Sequence, residues 1–95
     1  MNPHDDVRAR FRIVGRVQGV GFRWWAARHA RALALAGTVR NDDDGSVEVE
    51  AEGPPAGVAQ LRALLEEGPP NAFIERLENL PPTRAHLPMP FSIRA

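Results

Sequence analysis

Strand, helix, strand, hairpin, strand, helix and strand follow one another in this 95-residue chain, and that order predicts an α+β sandwich. Three observations carry the prediction. Apolar and charged residues alternate over residues 7–14 and 46–52, the period of a half-buried strand. Residues 22–33 and 58–65 repeat their apolar positions near 3.6, the period of a helix. Asp44-Gly45 supplies a strong hairpin signal between two of the strands.

Each element has its own justification. Residues 1–6 are polar and expected to be loose. The first strand is read from Val7 to Val14, with Ala9, Phe11 and Ile13 on one face and Arg8, Arg10 and Arg12 on the other. After Gly15, Gly19 and Gly21 a helix opens at Phe22, carrying Trp25 or Ala26, His29 or Ala30, and Leu33 on its buried side. Gly37 is its expected stop. Thr38 to Asn41 reads as a second strand with Val39 inward, and Ser46 to Glu52 as a third, with Val47, Val49 and Ala51 inward and Glu48, Glu50 and Glu52 outward. Gly53-Pro54-Pro55 breaks the third strand and sets φ for a helix built on Val58, Leu61, Leu64 and Leu65. Gly68-Pro69-Pro70 ends that helix. Ala72 to Leu80 is a fourth strand in which Ile74 and Leu77 break period two, so a bulge is expected near Glu75. Pro81-Pro82 and Leu87-Pro88-Met89-Pro90 read as loop. Phe91 to Arg94 forms a short last strand that the prolines place at an edge.

This is the order of the ferredoxin-like split sandwich: an antiparallel sheet with two helices on one face, here with a short extra C-terminal strand. Residues 1–95 are expected to form one domain, with a core of Phe11, Ile13, Phe22, Ala30, Leu33, Val39, Val47, Val49, Leu61, Leu65, Ile74 and Phe91. The first and third strands are central neighbours in that topology. Arg8, Arg10 and Arg12 then share the open face with Glu48, Glu50 and Glu52, a ladder contributing roughly 0.2–1 kcal/mol per directly opposed pair.

Composition narrows function. A chain of this length can bury a core without metal or disulfide staples, and it has no cysteine, hence no disulfide framework and no thiolate nucleophile. The formal charge is zero, which argues against bulk electrostatic binding to nucleic acid. All twelve basic residues are arginine, which lowers the weight of any one of them and removes lysine chemistry. No apolar run has the length of a signal peptide or a membrane span. A cytoplasmic monomer without cofactor or membrane partner is the expectation.

The chemistry is concentrated between Ile13 and Arg23. Glycines that admit φ > 0 can turn backbone N–H groups inward. A helix N-terminus adds unpaired donors and partial positive charge, and Arg23 adds a planar fork matched to two oxygens of one anion. Together they suit a tetrahedral oxyanion such as phosphate. No Gly-Lys-Ser/Thr follows, so the stretch is not a P-loop, and Trp24 stands where a dinucleotide fingerprint needs a third small residue. Spacing alone leaves two readings open: an anion nest, or a tight connector whose glycines serve only the backbone and whose Arg23 is a solvated charge. Asn41 falls on the same side as Val39, next to this loop. Its carboxamide could hold a water by donating and accepting, or could simply start the Asp42–Gly45 turn.

Taken together, Ile13-x-Gly15-x-Val17-Gln18-Gly19-Val20-x-Phe22-Arg23, then Gly37-x-Val39-Arg40-Asn41-x-x-x-Gly45-x-Val47 and Gly53, resemble the acylphosphatase family over essentially the whole chain, including the closing Phe91-Ser92-Ile93-Arg94. The resemblance implies a ferredoxin-like fold and hydrolysis of a small-molecule acyl phosphate to a carboxylate and inorganic phosphate. It implies that the backbone N–H groups of Arg16, Val17, Gln18, Gly19, Val20, Gly21 and Phe22, with Arg23, hold the phosphoryl group, and that Asn41 orients the attacking water. Thr38 departs from the aromatic residue usual there, and Trp24 and Trp25 replace a more common Tyr or Phe; either tryptophan can line the mouth of the site.

Other candidates are weaker. His4, His29 and His86 lack metal-ligand spacing, and His29 reads as a packing residue. Asp42-x-Asp44-Gly45 is similar to a calcium loop, but Arg40 and Ala51 occupy ligand positions, so no metal is expected. Ser46 and Ser92 have no triad partners. The alternative functions are a non-catalytic anion-binding module and an RNA-binding module of the same fold. The latter needs exposed aromatics where this chain has glutamates.

Overall fold

The computed structural model describes residues 5–95. The expectations for residues 1–4, His4 included, lie outside the described residues. The order is β1 (Val7–Arg16), α1 (Phe22–Ala32), β2 (Ala36–Asn41), β3 (Val47–Gly53), α2 (Pro55–Glu67), β4 (Phe73–Leu80) and β5 (Ser92–Ile93). The strands form one sheet in the order β4-β1-β3-β2-β5. The four long strands pair antiparallel as expected. β5 joins the edge parallel to β2, so the five-stranded sheet is mixed.

One face of the sheet carries both helices. Phe11, Ile13, Val39, Val47, Val49 and Ala51 meet Phe22, Ala26, Ala30, Leu61 and Leu65 there, all essentially inaccessible to solvent. Leu33 and Ile74, expected inside, are only half-buried at the margin of this cluster. The reason for Leu33 is the way α1 ends. The helix stops at Ala32, not near Gly37: Ala34 takes φ 56°, and the N–H groups of Ala34 and Leu35 turn back to the carbonyls of Arg31 and Ala30, both at 3.0 Å. This is a Schellman closure with alanine in the left-handed position usually given to glycine. It throws Leu35, not Leu33, into the core, where it is fully buried. Gly37 lies within β2 instead. A Cβ there would run into the Glu50 carbonyl and the Phe91 ring.

The bulge falls where the broken periodicity put it. Val14 pairs with Arg76 and Gly15 with Ile74, leaving Glu75 as the extra residue. Gly15 fits against the kink because a Cβ would collide with the Phe73 carbonyl.

The other face is charged, but not as a simple ladder. Arg8 meets its directly opposed Glu52 at 3.0 Å. Arg10 is opposed to Glu50 yet pairs diagonally and in bidentate fashion with Glu48, at 3.0 and 3.1 Å. Arg12 turns to Glu78 on β4. Glu50 is released for another partner: it is 5% exposed and accepts both the N–H and the hydroxyl of Thr83 at 2.7 Å. Residues 81–87, read as loop, thus lie across the open face, tied down by Arg8 through the Thr83 and Ala85 carbonyls.

Candidate active site

The register of three strands brings the two chemical halves together. Val47 on β3 pairs with Ile13 on β1 at one side and with Asn41 on β2 at the other, so these three residues form one row across the sheet. β1 and β2, each antiparallel to β3, run the same way and finish at the same end. At that end β1 passes into the glycine loop, residues 17–21, while β2 finishes at Asn41.

The loop is anchored by Val17, which is buried. Gly19 and Gly21 adopt φ +77° and +76°, yet a Cβ on either would meet nothing within 4 Å. Crowding therefore does not explain these glycines. The left-handed backbone does, and it is the conformation that swings successive N–H groups toward one side. Among the described residues, no hydrogen bond engages the backbone N–H groups of Gln18 to Arg23; the first amide of this region with a partner is Trp25, bonded to the Gly21 carbonyl at 3.0 Å. Gly21 caps α1 without a side-chain bond, and the first turn holds no acidic residue. A helix start left uncapped in this way keeps its first donors unpaired.

Side chains fix the loop from both flanks. Gln18 Nε2 donates to the carbonyls of Asp42 and Ser46, at 2.8 and 2.9 Å, and so clasps the loop to the β2–β3 turn. Asn71 donates to the Val20 carbonyl at 3.1 Å. Arg23, half-buried in the first turn of α1, donates from Nη1 to the Arg94 carbonyl at 2.9 Å, and the Arg94 N–H donates in turn to the Val39 carbonyl. The guanidinium is thereby held beside the end of β2 instead of ranging through solvent.

Val17, Gly19, Gly21, Phe22, Arg23, Trp24 and Asn41 line one cleft of about 110 Å³. Val17, Gly19, Gly21, Phe22, Arg23 and Asn41 of the expected set are thus brought together. Arg16, Gln18 and Val20 are not part of the lining; Arg16 is exposed and pairs its backbone with Phe73. The turn-starting alternative for Asn41 is answered by a neighbour. Asp44 Oδ1 accepts the Ser46 N–H at 2.9 Å together with the Ser46 hydroxyl, and these two bonds hold the Asp44 carboxyl below its ordinary value. The turn closes further through Asp42 N–H to the Ser46 carbonyl. Among the described residues the Asn41 carboxamide has no hydrogen-bond partner, which leaves both its donor and its acceptor for a ligand or water.

The tryptophans divide. Trp24 stands at the mouth, 71% exposed. Trp25 packs inward, 5.4 Å from Phe22 and 4.9 Å from His29, which makes His29 the packing residue expected. Thr38 lies on the open face of the sheet, remote from the cleft. Two fixings escaped the sequence reading, the Gln18 clasp and the Arg94 carbonyl. A glutamine within a glycine loop was the available sign of the first.

Fold and cleft define a ferredoxin-like sandwich whose strand ends gather free main-chain amides, a guanidinium and a carboxamide around one small space. The chain belongs to the acylphosphatase family, whose model matches residues 9–92. An acylphosphatase of Thermococcus kodakarensis is 53% identical over 72 residues, 76% of this chain and 79% of that one. An acylphosphatase of Synechococcus sp. CC9902 is 54% identical over 71 residues, 75% of this chain and 61% of the relative's own length. The crystal structure of the Bacillus subtilis acylphosphatase superposes with a TM-score of 0.81 at 34% identity, covering 93% of this chain and 98% of that one.

Proposed function

We propose that this protein hydrolyses acyl phosphates, carboxyl–phosphate anhydrides, to a carboxylate and inorganic phosphate. The observation that carries the reading is the shared cleft, with the unpaired amides of the glycine loop and Arg23 on one side and the unengaged Asn41 carboxamide on the other. The phosphoryl oxygens accept from the unpaired backbone N–H groups of residues 18–22 and from the Arg23 fork, while Arg16 stays paired with Phe73 in the sheet. Each such charge-assisted bond contributes about 1.5–3 kcal/mol when buried. Asn41 holds the water on the face of phosphorus opposite the leaving carboxylate. An acyl phosphate already carries a good leaving group, so binding, alignment and charge stabilisation suffice without a strong base. The proton of the water passes to a phosphate oxygen, since among the described residues no histidine or carboxylate lines the cleft.

The non-catalytic RNA-binding alternative is disfavoured by the open face, where Glu48, Glu50 and Glu52 lie among arginines and beneath residues 81–87. A monomer fits the same picture, because among the described residues the large exposed apolar side chains, Trp24, Phe73 and Met89, are few. No helix among the described residues is long and apolar enough to cross a membrane. The cytoplasm is the location we assign. The test is loss of benzoyl phosphate with purified protein. Arg23→Ala should abolish hydrolysis; Asn41→Ala should lower kcat by roughly 10²-fold with little change in phosphate inhibition. Full turnover in Asn41→Ala would refute its role, and an essential group titrating near neutrality in single turnover would refute the base-free step.

A further inference from the structure

A second concavity opens beside the cleft, and Gly21 and Trp24 line both. It is a groove of about 350 Å³ along α1, completed by Trp25, Arg28 and Arg31. Trp24, Arg28 and Arg31 stand at i, i+4 and i+7, so they share one helix face. Trp25, pinned between Phe22 and His29, gives a rigid floor. Arg31 is steadied by its Nε bond to the Phe91 carbonyl at 2.7 Å.

The charge of this groove is unbalanced. Arg8, Arg10, Arg12, Arg40, Arg62 and Arg76 all have carboxylate partners. Among the described residues Arg28 and Arg31 have none, no acidic residue lines the groove, and α1 contains none along its length. An exposed indole next to uncompensated guanidinium groups, continuous with a phosphate-sized cleft, suits a ligand with an apolar middle and an anionic far end.

We infer that the groove is the acyl-side subsite and selects acyl phosphates whose acyl chain carries its own carboxylate, the chain lying along Trp24 and the carboxylate meeting Arg28. This rests on the acyl phosphate reading above. It extends the small cleft, about 110 Å³, with space for the rest of the substrate. The substrate class is then the monophosphate of a small dicarboxylic acid.

The test compares succinyl phosphate with butanoyl phosphate, which differ by a carboxylate in place of the terminal methyl. The intact protein should favour succinyl phosphate about fivefold in kcat/KM, the most an exposed ion pair normally supplies. Arg28→Gln should bring that ratio close to one, and Trp24→Ala should raise KM for both compounds. Arg62→Gln, on α2 and paired with Glu66, is the control for overall charge and should keep the ratio. Equal rates in the intact protein, or an unchanged ratio in Arg28→Gln, would overturn the subsite while leaving the hydrolase standing. Failure to cleave either compound or benzoyl phosphate would overturn the activity itself, and the subsite with it.

Discussion

Gln18 is where loop geometry and stability can be tested together. Truncation to alanine removes two neutral hydrogen bonds, to the Asp42 and Ser46 carbonyls. Each contributes about 0.5–1.5 kcal/mol net. Neither carbonyl is orphaned by the loss, because Asp42 keeps the Gly45 N–H and Ser46 keeps the Asp42 N–H. The penalty for an unsatisfied acceptor therefore does not arise, and the expected cost is about 1–3 kcal/mol. In a domain of this size that lowers Tm by about 5–15 °C. Function should suffer beyond stability, because the clasp sets the distance between loop amides and Asn41. Phosphate inhibition should weaken, and kcat/KM for benzoyl phosphate should fall at temperatures where the variant is fully folded. Gln18→Glu sharpens the test: it keeps the length but points a carboxylate at two carbonyl oxygens, so it should be worse than alanine on both measures. A Tm within about 2 °C of the parent for both variants, or a glutamate variant matching the alanine one, would refute the clasp.

Three further outcomes follow from the fold. Ala34→Gly relieves a left-handed alanine at the end of α1 and should raise stability by about 0.5–1 kcal/mol, read as a higher urea midpoint. Gly15→Ala drives a Cβ into the Phe73 backbone at φ +145° and should cost about 3 kcal/mol or more in guanidinium unfolding; an unchanged midpoint would mean the bulge can move. Burial opposes ionisation of Glu48, but the bidentate Arg10 bond prevails and holds its carboxyl below 4.5. A depressed folded value means stabilisation present above 4.5 and lost as pH falls through the lower folded one. The parent should therefore lose stability more steeply than Glu48→Gln on the acid limb, by chemical denaturation at a series of pH values. Parallel curves would rule out the pairing as a source of pH dependence.

Much of the fold was legible because its strands alternate cleanly. Val47, Val49 and Ala51 face inward as read, and the interrupted period at Ile74 and Leu77 marked the Glu75 bulge. The end of α1 was not legible, and the reason is local. Residues 32–36, Ala-Leu-Ala-Leu-Ala, have no polar contrast, so nothing in the pattern says which leucine goes inside. A glycine nearby drew the boundary to itself, whereas the chain accepted a strained alanine and kept Gly37 for the close approach of Phe91. The covered Glu50 was illegible for a different reason. Residues 81–87 have no periodicity, and their placement depends on long-range bonds from Arg8 and to Glu50. At the site, spacing could not separate an anion nest from a connector. The empty space where Gly19 and Gly21 would carry side chains favours the nest, because a connector chosen for packing would use glycine where backbone crowds it, as at Gly15.

That contrast among glycines bears on how the site is kept in shape. Gly15 and Gly37 are fixed by collision and hold β1 to β4 and β2 to Phe91; Gly19 and Gly21 are fixed by conformation and leave their surroundings open. The first pair sets where β1 and β2 end, and the row Ile13–Val47–Asn41 transmits that alignment across β3. Arg23 is then tied to the same frame through Arg94 and Val39, and Gln18 ties the loop to the turn after Asn41. Each group the proposed chemistry needs is thus referred to the β2 side of the sheet by a bond that does not use the cleft. Donors held this way cost little reorganisation when charge develops on a bound phosphoryl group, which is how a small site without a strong base can still lower a barrier.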